Sequence, residues 1–499
     1  MSSLDGLLYG FSVCLSVNNL LAVIGGSIIG TLVGVLPGIG PVGAIALLLP
    51  ITMGMSPETS LIMLAGIYYG SMYGGSTTSI LVNVPGEAAS VVTCIDGYQM
   101  AKKGRAGAAL AVSAVGSFIA GTLGLVLLMF FAPLLAEYAL SFGPPEYFAI
   151  ALLGLFALSR ITGAPFWQSM LALGFGLAIA TVGLDSISFV QRFTFHIIEL
   201  AQGIDLVPVV MGLFGIAEVL VIAEESSGIP EIVKTRFREL FPTRKEWRRS
   251  WGPIFRGSAL GFFWGLIPGP STVLSTFASY KLEKSLSKNP DEFGQGAIEA
   301  VAGPESANNA ASTGAMVPLL SLGIPFAPAA AMLLAALLIQ GVPTGPLLIS
   351  QRPEIFWGVI ASMYIGNVAL LILNFPLVGV WTSILKIPQA ILIAIILVLT
   401  MVGAYAINNS LLDLVVLVFM GILGFFFRKI NFDVAPIVVA LVLGPMLETK
   451  LRESLYMSRG DVSVFFTRPI SGAIIAILGI FLVAPPLWAL IRKLRQRRT

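Results

Sequence analysis

The sequence is poor in charge, in histidine and in cysteine, and each shortage argues against a class of protein. Charged residues make up 11% of the 499 residues, whereas an ordinary soluble protein carries about 25%. With one histidine, two cysteines and no acidic pair in its apolar segments, the chain lacks the usual groups of a transition-metal site or of acid–base catalysis. It also lacks a G-x-x-x-x-G-K-[S/T] nucleotide loop, which argues against a primary pump.

The few polar residues outside the motifs described below suggest little chemistry. Cys14 and Cys94 are too few for a disulfide framework, and we expect both to be small buried residues. Met1 to Gly10 contains no basic stretch of the kind that opens a cleaved signal peptide, so the first hydrophobic segment should be retained. We expect solvent or interface positions for Asp185, His196, Glu199 and Asp205.

Apolar residues make up 56% of the chain, and they are grouped in long runs. A spanning helix needs about 20 mostly apolar residues, and such stretches recur from end to end, for example at 108–135, 207–222, 391–407 and 470–491. The sequence therefore predicts an all-α polytopic protein in the lipid bilayer. Run lengths indicate about 12 spans, within a range of about 11 to 14.

Basic residues are bunched rather than spread. Eight lie between Lys234 and Arg256, and five between Arg492 and Arg498. Lys and Arg are retained in cytoplasmic segments, which explains these clusters more simply than a nucleic-acid partner, and we predict none. The expected organisation is a first membrane repeat at 1–222, a basic cytoplasmic linker at 223–253, a second repeat core at 254–410, and C-terminal spans with a basic cytoplasmic tail at 411–499.

Two similar Pro-Gly breaks interrupt the apolar segments. GVLPGIGP occupies 34–41 and GLIPGPST occupies 265–272, and each follows a Gly-rich apolar helix. Residues 41–53 are too short to cross a bilayer, so they form a re-entrant hairpin or part of a helix that breaks and resumes. Breaks free backbone groups inside hydrocarbon and survive only where protein or a water-filled cavity surrounds them. The breaks therefore predict a cavity.

A second break follows the first in each half. YGGSTTSILVNVPGEAAS breaks at Pro85 and Gly86, and PESANNAASTGAMVPLLSLGIP breaks at 323–325. Two ordered breaks beside similar helices indicate an internal repeat. In the first half the internal connection, 51–58, has no Lys or Arg and the following one, 87–107, has three; in the second half 281–293 has three and 340–354 has one. Since basic loops stay inside, the two repeats should be inverted.

Loop charge gives no clear orientation for the C-terminal part of the chain. Arg428 and Lys429 lie at one end of a single short span, and Lys450, Arg452 and Arg459 lie at the other. Loop charge therefore does not set the topology after about residue 410.

The interrupted helices suit an anion. A helix N-terminus carries about half a positive charge together with free N–H groups, and two such ends would meet near the repeat axis. The predicted substrate-binding residues are Pro37, Gly38, Gly40, Pro41, Asn83, Pro85, Gly269, Ser271, Thr272 and Pro325. Neither Pro-Gly motif contains Lys or Arg, so a di- or tricarboxylate would need co-bound cations or protons. This favours a cation-coupled symporter that uses Na⁺ or H⁺ and no other cofactor.

Oxygen-bearing side chains near the breaks could hold that cation. The predicted cation-binding residues are Gly75, Ser76, Thr77, Thr78, Glu305, Ser306, Asn308 and Asn309. Simpler roles remain open. Gly74, Gly75 and Ser79 could serve close helix packing, Asn308 and Asn309 could bond between helices, and Glu305 could be a loop residue that caps a helix rather than an embedded carboxylate.

The motifs resemble one known family. GVLPGIGPVGAIALLLP, AGIYYGSMYGGSTTSILVNVPGEAAS with DGYQMAKKGRAGAAL, and YKLEKSLSKNPDEFGQGAIEAVAGPESANNAASTGAMVPLLSLGIP are similar to the large permease subunit of the bacterial tripartite tricarboxylate transporters. The resemblance implies a small membrane subunit, a periplasmic solute-binding protein that delivers substrate, and cation-driven carboxylate uptake. It also implies the bacterial inner membrane, and the basic tail predicts a cytoplasmic C-terminus. The chain departs from the family pattern at Pro270 and Ser271, and at Phe326 and Ala327, and these positions line the predicted site.

The predicted function is cation-coupled import of di- or tricarboxylates by alternating access. A channel or a passive scaffold subunit is the main alternative, because inverted broken repeats argue for alternating access without excluding a pore.

Overall fold

The computed structural model describes residues 2–36, 39–161, 165–185, 187–224, 241–384, 387–480 and 482. Two predicted site residues, Pro37 and Gly38, lie outside the described residues. So do most of the basic linker and the basic C-terminal tail, at 225–240 and 483–499.

The described residues of the first half form ten α-helices. They are α1 Ser3–Cys14, α2 Val17–Val35, α3 Gly40–Thr52, α4 Pro57–Val82, α5 Val91–Met100, α6 Ala106–Ala139, α7 Pro144–Ile161, α8 Phe166–Ala180, α9 Leu206–Val210 and α10 Ala217–Glu224. A 3₁₀ turn at Ala88–Ser90 precedes α5, and π-helical turns at Ala101–Arg105 and Met211–Ile216 join α5 to α6 and α9 to α10. Two short strands, β1 Gly183–Leu184 and β2 Gln191–Arg192, pair antiparallel between α8 and α9.

The described residues of the second half form helices joined by turns and loops, with no strand among them. The helices are α11 Arg244–Gly265, α12 Ser271–Leu286, α13 Glu299–Leu322, α14 Pro328–Ile339, α15 Pro346–Gln351, α16 Pro353–Asn374, α17 Val378–Ile384, α18 Gln389–Asn408, α19 Leu411–Lys429, α20 Ala435–Met457, α21 Val464–Thr467 and α22 Pro469–Ile480. Apart from the small strand pair, the all-α prediction is confirmed.

Five helical stretches of the described chain are long and apolar enough to cross a membrane. They are Val17–Val35, Ala88–Ala139, Leu206–Glu224, Pro353–Asn374 and Leu411–Lys429, and shorter apolar helices lie between them. The protein is therefore a multi-pass membrane protein. The prediction that residues 41–53 are too short to cross also agrees with the structure, since α3 has 13 residues and is a helix separate from α2, which ends at Val35.

Two long helices, α4 and α13, are not among these five apolar stretches, although they are the helices most deeply buried by the rest of the protein. Almost every residue from Ser60 to Val82 is buried, and so is every residue of α13 after Glu299. Their sequences are rich in Ser, Thr, Asn and Gly, which lowers their hydropathy. A helix of this composition is stable in a membrane where other helices, rather than lipid, surround it.

Rows of glycine bring α2 against α4 and α11 against α13. A Cβ atom added to Gly30 of α2 would lie 2.5 Å from the backbone oxygen of Ile67, and one added to Gly261 of α11 would lie 2.2 Å from that of Ala307. The rows are Gly26, Gly30, Gly34 and Gly257, Gly261, Gly265, with the same four-residue spacing. Small residues allow backbones to touch in this way. The two helix pairs are thus equivalent parts of the repeat.

The second breaks are also equivalent in conformation. Asn83 ends α4 at φ 60° and Gly323 ends α13 at φ 68°, both left-handed. Each is followed two residues later by a proline, Pro85 or Pro325. Left-handed residues commonly end helices, and a proline soon after prevents the helix from continuing.

Contacts between the halves show that the repeats are inverted. Lys103 Nζ lies in connection 87–107, which follows the second break of the first half. It donates to the backbone oxygen of Gln295, in the connection between α12 and α13 of the second half, at 2.6 Å. Gln340 Nε2 lies in connection 340–354, which follows the second break of the second half. It donates to the backbone oxygen of Thr52, in connection 51–58 of the first half, at 3.3 Å. Each internal connection therefore lies beside the outgoing connection of the other half, as the loop charges predict.

Asp96 of α5 holds one of these junctions together. Its side chain is fully buried and accepts hydrogen bonds from the backbone N–H groups of Gly294, Gly296 and Ala297 at 2.7–2.9 Å. Tyr280 Oη also donates to it, at 3.0 Å. One carboxylate of the first half therefore satisfies the backbone just before α13 of the second.

The chain divides into two compact units. The first comprises Met1–Glu137, Val207–Ile267 and Ser271–Phe426, and it contains both helix pairs with glycine rows, α2 with α4 and α11 with α13; the second comprises Tyr138–Leu206, Pro268–Pro270 and Phe427–Thr499. Within the second unit α7 and α8 pack against α20.

Ion pairs anchor the strand pair within the second unit. Arg452 Nη1 donates to Asp185 Oδ2 at 2.7 Å, and Arg192 Nη1 donates to Glu448 Oε1 at 2.7 Å. The bond from Arg452, followed by those from the backbone N–H groups of Ile187 and Ser188, holds the pKa of Asp185 well below its usual range.

Three expectations for polar residues are corrected or explained. Asp185 is 5% exposed rather than at the solvent, because its charge is paired with Arg452. Cys94 is only half-buried, whereas Cys14 is buried as expected. Lys450 and Arg452 are paired with Glu453, Asp185 and Glu448, so their charge is locally balanced, which explains why it gave no clear orientation.

We expect Gly30→Ala to destabilise the protein by about 1–3 kcal/mol, because its new methyl group overpacks the α2–α4 contact. Gly25→Ala, in the same helix, is the matched control, because a Cβ there has nothing within 4 Å. Thermal unfolding of both purified variants checks this, and equal unfolding temperatures would contradict the packing role of the row.

We expect Asp185→Asn to lower the unfolding temperature at pH 7. The folded protein favours ionised Asp185, so this stabilisation is present above the unfolded-state pKa of about 3.9 and is lost as the pH falls below it. The difference from wild type should therefore shrink at pH 3. Glu199→Gln, at an exposed position, should change little at either pH, and a pH-independent effect of Asp185→Asn would contradict the assignment.

Candidate ion and substrate site

Four segments of the first unit enclose a polar cluster: the C-terminal part of α4, the turn Ala88–Ser90 with α5, the first half of α6, and α13. α13 packs against α4, α5 and the turn. Ser117 of α6 bonds to Asn309 of α13. Both repeats therefore contribute side chains to the same interior region.

Glu305 lies at the centre of this cluster. It is 1% exposed and sits inside α13, so it is an embedded carboxylate and not a loop residue that caps a helix. Ser76 Oγ donates to Glu305 Oε2 at 2.5 Å, Thr93 Oγ1 donates to Oε1, and Ser113 contributes a third hydroxyl. All three hydroxyls come from the first half of the chain.

Glu87 is a second buried carboxylate, and it follows the Pro85–Gly86 break directly. Glu87 Oε2 accepts from the backbone N–H of Ala89 at 3.0 Å, and Oε1 accepts from Asn308 Nδ2 at 2.9 Å. A Cβ atom on Gly75 would lie 2.8 Å from Glu87 Cγ. The glycine therefore leaves the space in which the carboxylate lies against α4.

Neither carboxylate has a basic partner within the described part of the chain. Other buried glutamates do: Glu283 pairs with Arg256, and Glu146 pairs with Arg468. Glu87 and Glu305 instead interact electrostatically with each other. A buried charge is costly unless it is paired or neutralised, so ionised forms of these two carboxylates would need a positive charge that the described residues do not supply.

Oxygen atoms without hydrogen-bond partners accompany the carboxylates. Ser306 Oγ, Asn308 Oδ1 and Asn309 Oδ1 are buried and unpartnered, and their residues are at most 1% exposed. Leaving a buried polar atom unpaired costs about 1–3 kcal/mol. Carboxylate, amide and hydroxyl oxygens are the ligands of hard cations, so the atoms of this cluster fit a small monovalent cation.

The structure brings most of the predicted cation-binding residues together. Five of them belong to the polar cluster: Ser76 of α4, and Glu305, Ser306, Asn308 and Asn309 of α13. Thr78 Oγ1 instead donates to the backbone oxygen of Val35 at 2.9 Å, which ties α4 to the end of α2. Thr77 is buried in the same helix.

The simpler roles considered for these residues apply in part. The amide of Asn309 bonds between helices, because its Nδ2 donates to Ser117 Oγ at 2.7 Å. Ser79 Oγ donates to Ser90 Oγ at 2.9 Å. Gly74 serves close packing, since a Cβ there would lie 2.3 Å from the backbone oxygen of Thr31.

In the second half, the predicted substrate-binding residues form the start of α12. Ser271 is its first residue, and its Oγ is buried without a partner. Thr272 follows and is half-buried, and Gly269 has φ 139° in the turn before the helix. α12 packs against the turn Ala88–Ser90. A break of one half thus lies beside a broken helix of the other.

The remaining predicted substrate-binding residues lie at the corresponding places of the opposite pair. Gly40 begins α3 at φ 62° with Pro41 next to it. α3 packs against α14, the helix that follows Pro325. Asn83 is exposed and ends α4, and Pro85 is half-buried.

Glu87, Thr93 and Ser113 were not among the sequence-predicted site residues. A signal for Glu87 was present, because it is the only charged residue between Glu58 and Asp96 and stands directly after a Pro-Gly break. Thr93 and Ser113 resemble many other hydroxyl residues in apolar helices, and only the folded structure shows that they face Glu305.

The comparisons with known proteins identify the family. Residues 20–439 match the family described as the tripartite tricarboxylate transporter TctA family. The chain belongs to the TctA family.

Two proteins from Agrobacterium vitis are similar to this chain. An uncharacterized 52.8 kDa protein in the TAR-I ttuC′ 3′ region is 47% identical over 497 residues, covering 100% of this chain and 99% of that protein. An uncharacterized protein in the TAR-II ttuC′ 3′ region is 47% identical over 238 residues, covering 48% of this chain and 97% of that protein. No solved structure matches.

Membership of the TctA family makes the chain a large subunit of a membrane transporter, which is not an enzyme. A tripartite transporter also implies a membrane partner and a periplasmic binding protein. The buried carboxylates and the helix breaks are therefore features of a transport subunit.

We expect Thr93→Val to destabilise the protein by about 1–3 kcal/mol, because it removes a hydroxyl donor from the buried Glu305. Thr93→Ser is the matched control and should stay close to wild type, since it keeps the hydroxyl. Thermal unfolding of the two variants in sodium-free buffer measures the difference, and equal losses would mean that side-chain shape, not the hydrogen bond, matters at this position.

Proposed function

We propose that this chain is the permease subunit of a cation-coupled secondary transporter that imports di- or tricarboxylates such as citrate by alternating access. The observation that carries the proposal is Glu305, a buried carboxylate of the second repeat. It is held by hydroxyls of the first repeat and has no basic partner among the described residues.

A cation is the natural ligand of this cluster. Na⁺ or H⁺ at Glu305 would neutralise the carboxylate, and the unpartnered oxygens of Ser306 and Asn309 could complete the coordination of a metal ion. Because the ligands come from both repeats, a movement of one repeat against the other would take the site apart and release the ion. Coupling of ion and substrate then follows from geometry.

The carboxylate substrate suits the N-terminus of α12. Free backbone N–H groups and the helix dipole favour an anion there, and the buried Oγ of Ser271 lacks a partner in the structure. Two helix ends offset only about one negative charge. The bound cation supplies the remaining positive charge that a di- or tricarboxylate needs.

We place the transporter in the bacterial inner membrane with its C-terminus in the cytoplasm. The support is the cluster of basic residues between Lys234 and Arg256 and the one in the C-terminal tail, since such segments are retained inside. A small membrane subunit would complete the permease, and a periplasmic solute-binding protein would deliver the carboxylate from the opposite side.

Uptake into proteoliposomes tests the proposal. The chain is reconstituted with its membrane partner and binding protein, and uptake of labelled citrate and of labelled dicarboxylates is followed with imposed Na⁺ or pH gradients. We expect one of these gradients to accelerate uptake. Glu305→Gln should lower the gradient-driven rate at least tenfold, because the neutral amide keeps the shape of the side chain but not its charge.

Glu58→Gln is the matched control. It lies at the start of α4, outside the cluster, and should transport like wild type. Uptake that is indifferent to every imposed cation gradient would contradict symport, and persistence of coupled uptake in Asn309→Leu would argue against the participation of Asn309 in the cation site.

A further inference from the structure

Glu87 does not belong to the sequence-predicted cation site, and its position gives it a separate role. Its carboxylate is 7% exposed and is held between the N–H of Ala89 and the amide of Asn308. It is thus bonded to a different set of groups from Glu305, whose partners are hydroxyls. Both carboxylates lie at α13, since Glu305 is part of this helix and Glu87 accepts from its Asn308.

Glu87 lies at the level of the substrate-binding end of α12. On α13, the backbone oxygen of Ala307 accepts from Ser275 Oγ at 3.2 Å, and the next residue, Asn308, donates to Glu87. Ser275 is in the second turn of α12, four residues after Ser271. The turn Ala88–Ser90, which Glu87 begins, also packs against α12.

This placement creates an electrostatic conflict. The N-terminus of α12 favours an anion, whereas an ionised Glu87 at the same level repels one through an interior that screens charge poorly. The described titratable neighbours of the two carboxylates are Tyr68 beside Glu87 and Cys94 beside Glu305, and neither side chain supplies a positive charge. The charge of Glu87 must be cancelled before a carboxylate substrate can bind.

A vacant acceptor is available beside Glu87. Asn308 uses its Nδ2 for the hydrogen bond to Glu87, and its Oδ1 is buried without a partner. A carboxylate oxygen and an amide oxygen from one bonded pair are both suitable ligands for a small cation. If Glu87 only capped the turn through Ala89, nothing would require Asn308 Oδ1 to remain without a hydrogen-bond partner.

We propose that Glu87, together with Asn308, forms a second cation site, distinct from the one at Glu305 and occupied by its own Na⁺ or H⁺, and that its occupation permits the carboxylate to bind at α12. This rests on the proposed function, because it assigns a second coupling ion to the same transporter. Each transport cycle then carries one cation at Glu305 and one at Glu87.

Two measurements on Glu87→Gln distinguish the sources of the cation. In the sodium arm, ²²Na⁺ bound per purified full-length chain is counted at saturating Na⁺. In the proton arm, acidification of the proteoliposome lumen per imported carboxylate is recorded with a trapped pH dye. If Na⁺ occupies Glu87, the variant binds one Na⁺ fewer per chain; if H⁺ does, the ratio of protons to substrate falls by one.

The controls separate this proposal from the preceding one. Glu58→Gln should leave both numbers unchanged. If Glu305→Gln loses an ion and Glu87→Gln loses none in either arm, the second site is wrong and cation-coupled transport stands. If neither variant changes either number, both proposals are wrong, and an inactive Glu87→Gln that binds as much Na⁺ as wild type also counts against the second site.

Asn308→Ala keeps the proposal testable if Glu87→Gln does not fold. It retains the carboxylate but removes its amide partner, and loss of a group that supports an ion ligand typically weakens ion binding 10- to 100-fold. We therefore expect at least a tenfold weaker affinity for the ion at this site in a monodisperse protein. Unchanged ion affinities in Asn308→Ala would overturn the assignment.

Discussion

The contact of backbone against backbone along the glycine rows is the constraint on which the rest of the structure depends. Gly30 of α2 and Gly261 of α11 let each helix lie directly against α4 or α13. Those two helices can then be polar, because protein rather than lipid surrounds them. Their polar residues in turn provide the cluster, and the breaks at their ends have enclosed surroundings in which freed backbone groups can find partners.

The cluster joins the two repeats by charge as well as by shape. Glu305 of α13 accepts hydrogen bonds from Ser76 and Thr93 of the first repeat, while Asn308 of α13 donates to Glu87. Acidic groups thus come from both repeats, and no basic side chain of the described residues neutralises them. Two other buried glutamates, Glu283 and Glu146, are each paired with an arginine. Glu87 and Glu305 differ from these two in lacking a basic partner among the described residues.

Much of the fold could be predicted from the sequence, because apolar run length and loop charge act locally. The short α3, the paired breaks and the inverted arrangement of the repeats all follow from such patterns. The site could be predicted only in part. Ser76, Glu305, Asn308 and Asn309 occur in distinctive polar runs, whereas Thr93 and Ser113 acquire a role only through helix packing. Asp185 was misplaced because its partner, Arg452, is distant in sequence, and Pro37 and Gly38 remain predictions outside the described residues.

The composition of α4 and α13 also bears on how the chain enters the membrane during synthesis. Insertion into the bilayer depends on the apolar character of each segment, and polar residues near the middle of a helix oppose it. Neither α4 nor α13 is among the stretches apolar enough to cross a membrane by themselves. For α4, we expect insertion to be assisted by α2, which emerges earlier and is apolar enough to cross by itself. A glycine row would then first hold a weakly apolar helix in the membrane by direct contact while synthesis of the chain continues.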